Sequence, residues 1–347
     1  MENSNIEWTD HTFNPWTGCT KVSPGCAHCY AESWAKRSGT VQWGPGKPRR
    51  RTKTWGDPVK WNREAEATQL DLTQRQKISD PRNEQPEIWK ARRPRVFSAS
   101  LADWLDDEVP IEWLADFLKL IHATPNLDWL LLTKRPQNWA PRIEAVLKWI
   151  EARPEWAAET NDAPWARVRN WLADWFVLGK PPSNIWIGTT VENQEMADLR
   201  IPQLLHIPAK IRFLSCEPLL GPVDLIAAAC PPGIAMCAEF GNDPLRGIHW
   251  VIAGGESGPG ASPMHPDWPR TLRDQCAAAA VPFLFKQWGE FKAEIRPGTA
   301  IELSSLGPGE SVAWGDGATN HTLYTKIGKK AAGRHLDGQL HTAFPTP

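Results

Sequence analysis

Short, almost unbroken apolar runs alternate along this chain with segments whose apolar residues recur at helical spacing. The runs are Arg95–Ser100, Asp128–Thr133, Asn184–Val191, Ile211–Cys216, His249–Gly254 and Pro282–Lys286. Strands of a parallel sheet read this way, because helices cover both faces and leave little room for polar positions. Between the runs, Ile111–His122 sets Ile111, Leu114, Ala115, Leu118 and Ile121 on one helical stripe, and Gln137–Ile150 and Glu192–His206 follow a similar pattern. Asp267–Ala280 reads as a further helix, with Asp267 as N-cap and Pro269 just inside it. The alternation predicts an α/β fold of about six parallel strands, either doubly wound or curled into a barrel.

Three stretches interrupt this rhythm. Residues 38–93 are polar, basic and punctuated by Pro and Gly, 151–182 are rich in Trp and Arg, and 227–246 carry Cys230 and Cys237. After Gly289 the periodicity fades, which predicts an irregular or β-containing tail. The expected organisation is one main domain over 1–290 with insertions at 38–93, 151–182 and 227–246, and a tail over 291–347 packed on it.

Charge alters the picture little. Lys and Arg number 39 against 40 Asp and Glu, so no global field attracts nucleic acid. A local basic stretch, Arg49, Arg50, Arg51 and Lys53, lies near Trp43 and Trp55 and points to a nucleotide or nucleic-acid substrate. The 21 Trp read mainly as core, with base stacking the minority use. A polar start and the lack of an apolar run of about 18 residues predict a cytoplasmic chain with no membrane partner. Seven cysteines in that compartment argue against a disulfide framework and for metal or redox chemistry.

Three of those cysteines, Cys19, Cys26 and Cys29, fall within eleven positions. Pro24 and Gly25 turn the chain between the first two, and the two-residue gap from Cys26 to Cys29 lets both sulfurs address one centre. Thiolates bind iron–sulfur clusters or zinc. A structural zinc site ordinarily has four protein ligands, and no second CxxC follows; His11 is a conceivable fourth ligand. Three cysteines on a cubane would leave one iron open for chemistry. The residues by themselves leave iron–sulfur, zinc and no metal as alternatives, in that order.

The spacing resembles the radical-SAM cysteine loop, with six residues in the first gap where that loop has three, and with His28 where it usually has an aromatic residue. More widely, the chain resembles a phage-associated family named for gene products thirty-seven and sixty-eight, sometimes called the three-Cys-motif family. The segments that carry this likeness are Asn14–Tyr30, Arg95–Asp103, Leu130–Pro136, Trp186–Asn193, Arg212–Leu225, Trp250–Asp267 and Pro282–Glu290. The resemblance implies an incomplete or distorted TIM-like barrel. It implies a 4Fe-4S cluster on Cys19, Cys26 and Cys29, S-adenosylmethionine bound at the open iron, and reductive cleavage to a 5′-deoxyadenosyl radical. An external electron donor would then be a partner.

In such a barrel the site forms at the C-terminal ends of the strands. The predicted ends are polar: Ser98, Ser100 and Asp103; Lys134 and Arg135; Thr190 and Glu192; Cys216 and Glu217; Glu256 and Ser257; Lys286 and Gln287. Cys216 is a candidate hydrogen-atom donor or further ligand, and Glu192, Glu217 and Glu256 are candidate general bases. Lys134 and Lys286, with Arg135, suit phosphate or carboxylate. Gly254, Gly255 and Glu256 resemble the Gly-Gly-Glu motif that holds the methionine amino group in radical-SAM enzymes, although here the motif follows a late strand. Ser98 and Ser100 join them as cofactor-binding candidates. The plainer interpretation of Gly254-Gly255 is a tight turn at positive φ. Two further functions compete: a zinc-stabilised nucleic-acid-binding protein, and a carboxylate-dependent hydrolase.

Overall fold

The computed structural model of the protein describes residues 1–79, 90–153, 163–229, 245, 247–297, 310–314 and 320–346. The fold is mixed α/β. Its strands are β1 (His11–Thr12), β2 (Trp16–Thr17), β3 (Arg50–Arg51), β4 (Arg95–Ser98), β5 (Asp128–Thr133), β6 (Ile185–Thr190), β7 (Ile211–Cys216), β8 (Trp250–Gly254), β9 (Phe283–Gln287), β10 (Phe291–Pro297), β11 (Glu310–Trp314) and β12 (Asn320–Lys326). The helices are α1 (Tyr30–Ser38), α2 (Asp57–Ser79), α3 (Ile111–His122), α4 (Trp139–Glu151), α5 (Pro164–Phe176), α6 (Gln194–Leu205), α7 (Leu225–Ala229), α8 (Asp267–Ala278) and α9 (Lys329–Ala332).

Seven strands join in one sheet in the order β1-β4-β5-β6-β7-β8-β9; β1 with β4, β4 with β5, β7 with β8 and β8 with β9 pair in parallel, with His11 opposite Val96, Arg95 opposite Asp128, Phe213 opposite Trp250 and Val251 opposite Phe283. The six apolar runs are β4 to β9. The seventh strand, β1, corrects the expected number: it is two residues long and half-buried, too short for any alternation to announce it.

The chain divides into two compact units, one of residues 1–20, 34–187 and 207–210, the other of residues 21–33, 188–206 and 211–347. In the first, the stripe of α3 is buried at Leu114, Ala115, Leu118 and Ile121. Phe117 meets Trp129 of β5 edge-on at 5.6 Å between ring centres and Trp16 at 5.9 Å. Trp139 of α4 packs on Trp175 of α5 at 5.6 Å. These tryptophans are core, and their aromatic pairing adds to the apolar area they remove from water. The helix α2 was not legible as an element: its 23 residues bury only Pro58, Trp61 and Gln76. Its Glu, Ala, Gln, Leu and Lys content favours helix by intrinsic propensity, without an apolar stripe.

In the second unit, Phe213 of β7 meets Trp250 of β8 at 5.9 Å, and Trp250 meets Phe344 at 5.0 Å while donating its indole N–H to the Ala343 carbonyl. The segment beyond Gly289 contains a three-stranded antiparallel sheet, β10-β12-β11. Asp267 is the first residue of α8 and Pro266 precedes it, so Asp267 does not cap the helix as its side-chain chemistry suggested. Cys230 and Cys237 lie outside the described residues. Among the described residues no helix is long and apolar enough to cross a membrane.

Gly188 shows how tightly β6 and β7 pack: a Cβ there would sit 2.4 Å from the Phe213 ring. The ring cannot withdraw, since Phe213 is fully buried. Gly188→Ala should therefore lose about 1–3 kcal/mol in urea unfolding, and an unchanged midpoint would show that this packing is looser than described.

Candidate functional site

Cys19 belongs to the first unit, where two strand ends hold it. Asp103 follows β4, and its carboxylate is saturated: Oδ1 accepts from the Thr133 hydroxyl (2.7 Å) and the Leu105 N–H (3.0 Å), and Oδ2 from the Lys134 N–H (2.9 Å) and Arg135 Nη1 (3.0 Å). Arg135, just past β5, also donates through Nη1 to Cys19 Sγ (3.5 Å) and through Nη2 to the Thr20 carbonyl (2.8 Å). Both charged side chains are almost entirely buried. Burial works to lower the Arg135 guanidinium, and the Asp103 charge outweighs it, so the group is raised and stays cationic. Burial pushes the Cys19 thiol up to about 12, with Asp103 acting in the same direction and Arg135 against it.

The neighbouring basic stretch is engaged internally. Arg49 is buried against Asp106 (2.7 Å) and Glu108 (3.2 Å), and Arg51 pairs with Asp116 (2.8 Å) and lies over the Trp55 ring at 4.3 Å. Those two cations serve the fold, and charge alone could not reveal that they face carboxylates. His11 stacks on Trp61 at 4.3 Å, with its Nδ1 buried and lacking a partner among the described residues. Ser98 is fully buried, and its hydroxyl also lacks a partner among the described residues. The Ser100 hydroxyl bonds to the Asn14 amide at 3.0 Å. Lys134 is half-buried.

Cys26 and Cys29 belong to the second unit. Cys26 is buried and closes a single turn of 3-10 helix, donating its N–H to the Ser23 carbonyl at 2.9 Å. Glu192, just past β6, is fully buried; its Oε2 receives Arg200 Nη1 at 2.7 Å, and its Oε1 receives the Ser23 hydroxyl and the Gly25 N–H, the latter at 3.2 Å. His28, between the two cysteines, bonds through Nδ1 to Glu256 Oε2 (3.1 Å), which also accepts the Ser262 N–H (2.7 Å). Glu217 and Lys286, at the ends of β7 and β9, form an ion pair at 3.1 Å that is less buried than the others at the strand ends. Cys216 is completely buried, and burial keeps its thiol protonated by raising it well above the ordinary value.

Gly254 and Gly255 are glycines for a reason other than a turn. Neither has positive φ, which appears only farther on, at Gly258 and Gly260. A Cβ on Gly254 would lie 2.6 Å from Glu217 Oε1, and one on Gly255 would lie 2.1 Å from the Trp288 carbonyl oxygen. Close approach of neighbouring groups is what excludes a side chain at both.

The family model described as a protein of unknown function, DUF5131, matches residues 3–345, almost the whole chain. The chain belongs to the DUF5131 family. No curated protein and no solved structure matches it. What a DUF5131 member of this sequence can bind therefore rests on its own groups. Cys19, Cys26 and Cys29 form no disulfide, and a guanidinium N–H points at the Cys19 sulfur, as suits a thiolate ligand. This donor chemistry fits a three-thiolate ligand set. Among the described residues no group of three or more His, Cys, Asp or Glu side chains is disposed to hold a metal ion.

Asp103→Ala would leave Arg135 buried without its counter-charge, a change that costs about 3–5 kcal/mol. Urea unfolding should register that loss, and a loss below about 1 kcal/mol would mean that water already reaches the pair.

Proposed function

We propose that the chain is an iron–sulfur enzyme of the radical-SAM type, with Cys19, Cys26 and Cys29 as ligands of a 4Fe-4S cluster. The observation that carries this reading is the loop itself: three free cysteines within eleven residues, with Arg135 donating to Cys19 and the Glu192–Arg200 pair holding Ser23 and Gly25. When bound, the cluster supplies the electron that cleaves S-adenosylmethionine reductively. The TIM-like barrel and the phage-associated kinship belong to the same proposal, supported by the parallel strand order and by the motif segments.

The protein's own groups would do the rest. Arg135 donates to Cys19 Sγ and favours its anionic form, opposing the burial that disfavours it. The part-exposed Glu217–Lys286 pair offers an acceptor and a cation to a polar substrate group, such as a nucleotide's base edge and phosphate. The backbone around Gly254 and Gly255 lets Glu217 and Trp288 approach closely. The buried Cys216 thiol stays protonated, the state a hydrogen-atom donor needs.

Anaerobic purification, reconstitution with iron and sulfide, and EPR of the reduced protein test this reading. A cluster signal that shifts when S-adenosylmethionine is added, and disappears in Cys19→Ala, Cys26→Ala and Cys29→Ala, is expected. Stoichiometric zinc, or no cluster signal, would replace it with a structural thiol clip.

A further inference from the structure

We infer that Glu192 is a positioning residue for the cysteine loop, holding Cys26 in place through Ser23 and Gly25. The inference deepens the iron–sulfur reading and rests on it for the identity of the metal. Glu192 follows β6 and looks from the sequence like a general base, but both of its oxygens are engaged. Oε2 is fixed by Arg200 Nη1 at 2.7 Å, and the same nitrogen donates to the Thr190 carbonyl at 2.9 Å. Oε1 takes the Ser23 hydroxyl and the Gly25 N–H.

The main chain around Glu192 is also held on both sides. Its carbonyl accepts the Leu220 N–H at 2.7 Å, and the next residue, Asn193, caps α6 by accepting the Met196 N–H at 3.0 Å. The loop side is shaped to receive the carboxylate: a Cβ on Gly25 would come within 3.0 Å of Oε1, so glycine gives the approach its room. From there the contact reaches sulfur. Ser23 Oγ lies 3.8 Å from Cys26 Sγ, a contact in which either group can donate. The resulting series, Arg200 to Glu192 to Ser23 to Cys26, ties a ligand cysteine to the end of a core strand. Its parts come from distant segments: Ser23 is 169 positions from Glu192.

The test uses the full chain with Ser23→Ala, Ser23→Thr and Glu192→Gln. Each thiol is followed by its iodoacetamide alkylation rate in metal-free protein, and iron retention is followed against a chelator after reconstitution. Losing a charge-assisted hydrogen bond should speed Cys26 alkylation by about tenfold in Ser23→Ala, and shorten iron retention. Ser23→Thr should restore both. The fully buried Cys216 and Cys276, the latter in α8, should stay unreactive and Cys19 unchanged, which separates a freed loop from general unfolding. Ser23→Ala keeps the test valid if Glu192→Gln, with Arg200 unpaired, does not fold. Wild-type rates at Cys26 in Ser23→Ala would overturn the positioning role. A wild-type chain that takes up no iron overturns the iron–sulfur reading instead, because the alkylation measurement needs no metal.

Discussion

A charge taken out of water must find its counter-charge and fill its remaining hydrogen-bonding positions, or the fold loses several kcal/mol. That constraint governs the strand ends of this protein. Asp103 with Arg135, and Glu192 with Arg200, are ion pairs whose side chains are almost entirely buried. Each pair satisfies its spare positions with groups from the cysteine loop: Arg135 with the Thr20 carbonyl and Cys19 sulfur, Glu192 with the Ser23 hydroxyl and Gly25 N–H. The loop's attachment is thus a by-product of burying charge correctly. A buried pair is weak evidence for stability by itself, and its better-attested use is to specify one arrangement over others. Here Asp103 and Arg135 fix Cys19 and Thr20 within one unit, and Glu192 and Arg200 fix Ser23 and Gly25 within the other.

The parallel strands were legible because burial on both faces leaves an apolar run, as in Leu130–Leu132 of β5 or Val251–Ala253 of β8. Two kinds of element escaped. β1 is too short to carry a pattern, and α2 is too exposed to carry a stripe, so its helicity rests on residue propensity alone. Helix ends were legible only approximately. Asp267 has the chemistry of a cap, but the chain enters α8 one residue earlier, at Pro266.

The site was legible as a set of residue types and not as a set of contacts. Polar residues at the ends of β4 to β9 stood out against apolar runs, and the structure finds most of them bonded to one another or to the loop. Spacing in the sequence could not say that Asp103 meets Arg135, or that Glu192 meets Ser23, since the partners are 32 and 169 positions apart. The basic stretch taught the opposite lesson. Arg49 and Arg51 looked like a surface patch, and they are consumed by Asp106, Glu108 and Asp116. At Gly254 and Gly255 the sequence suggested backbone freedom where the structure shows crowding by Glu217 and Trp288.

The central claim is that three cysteines, and no fourth protein ligand, hold a cluster with one iron left open. Mössbauer spectroscopy of protein reconstituted with iron-57 addresses it most directly. The account predicts one iron in each cluster that is distinct from the other three and changes its parameters when S-adenosylmethionine is added. Four irons that all ignore S-adenosylmethionine, or a protein that holds zinc in place of iron, would contradict it.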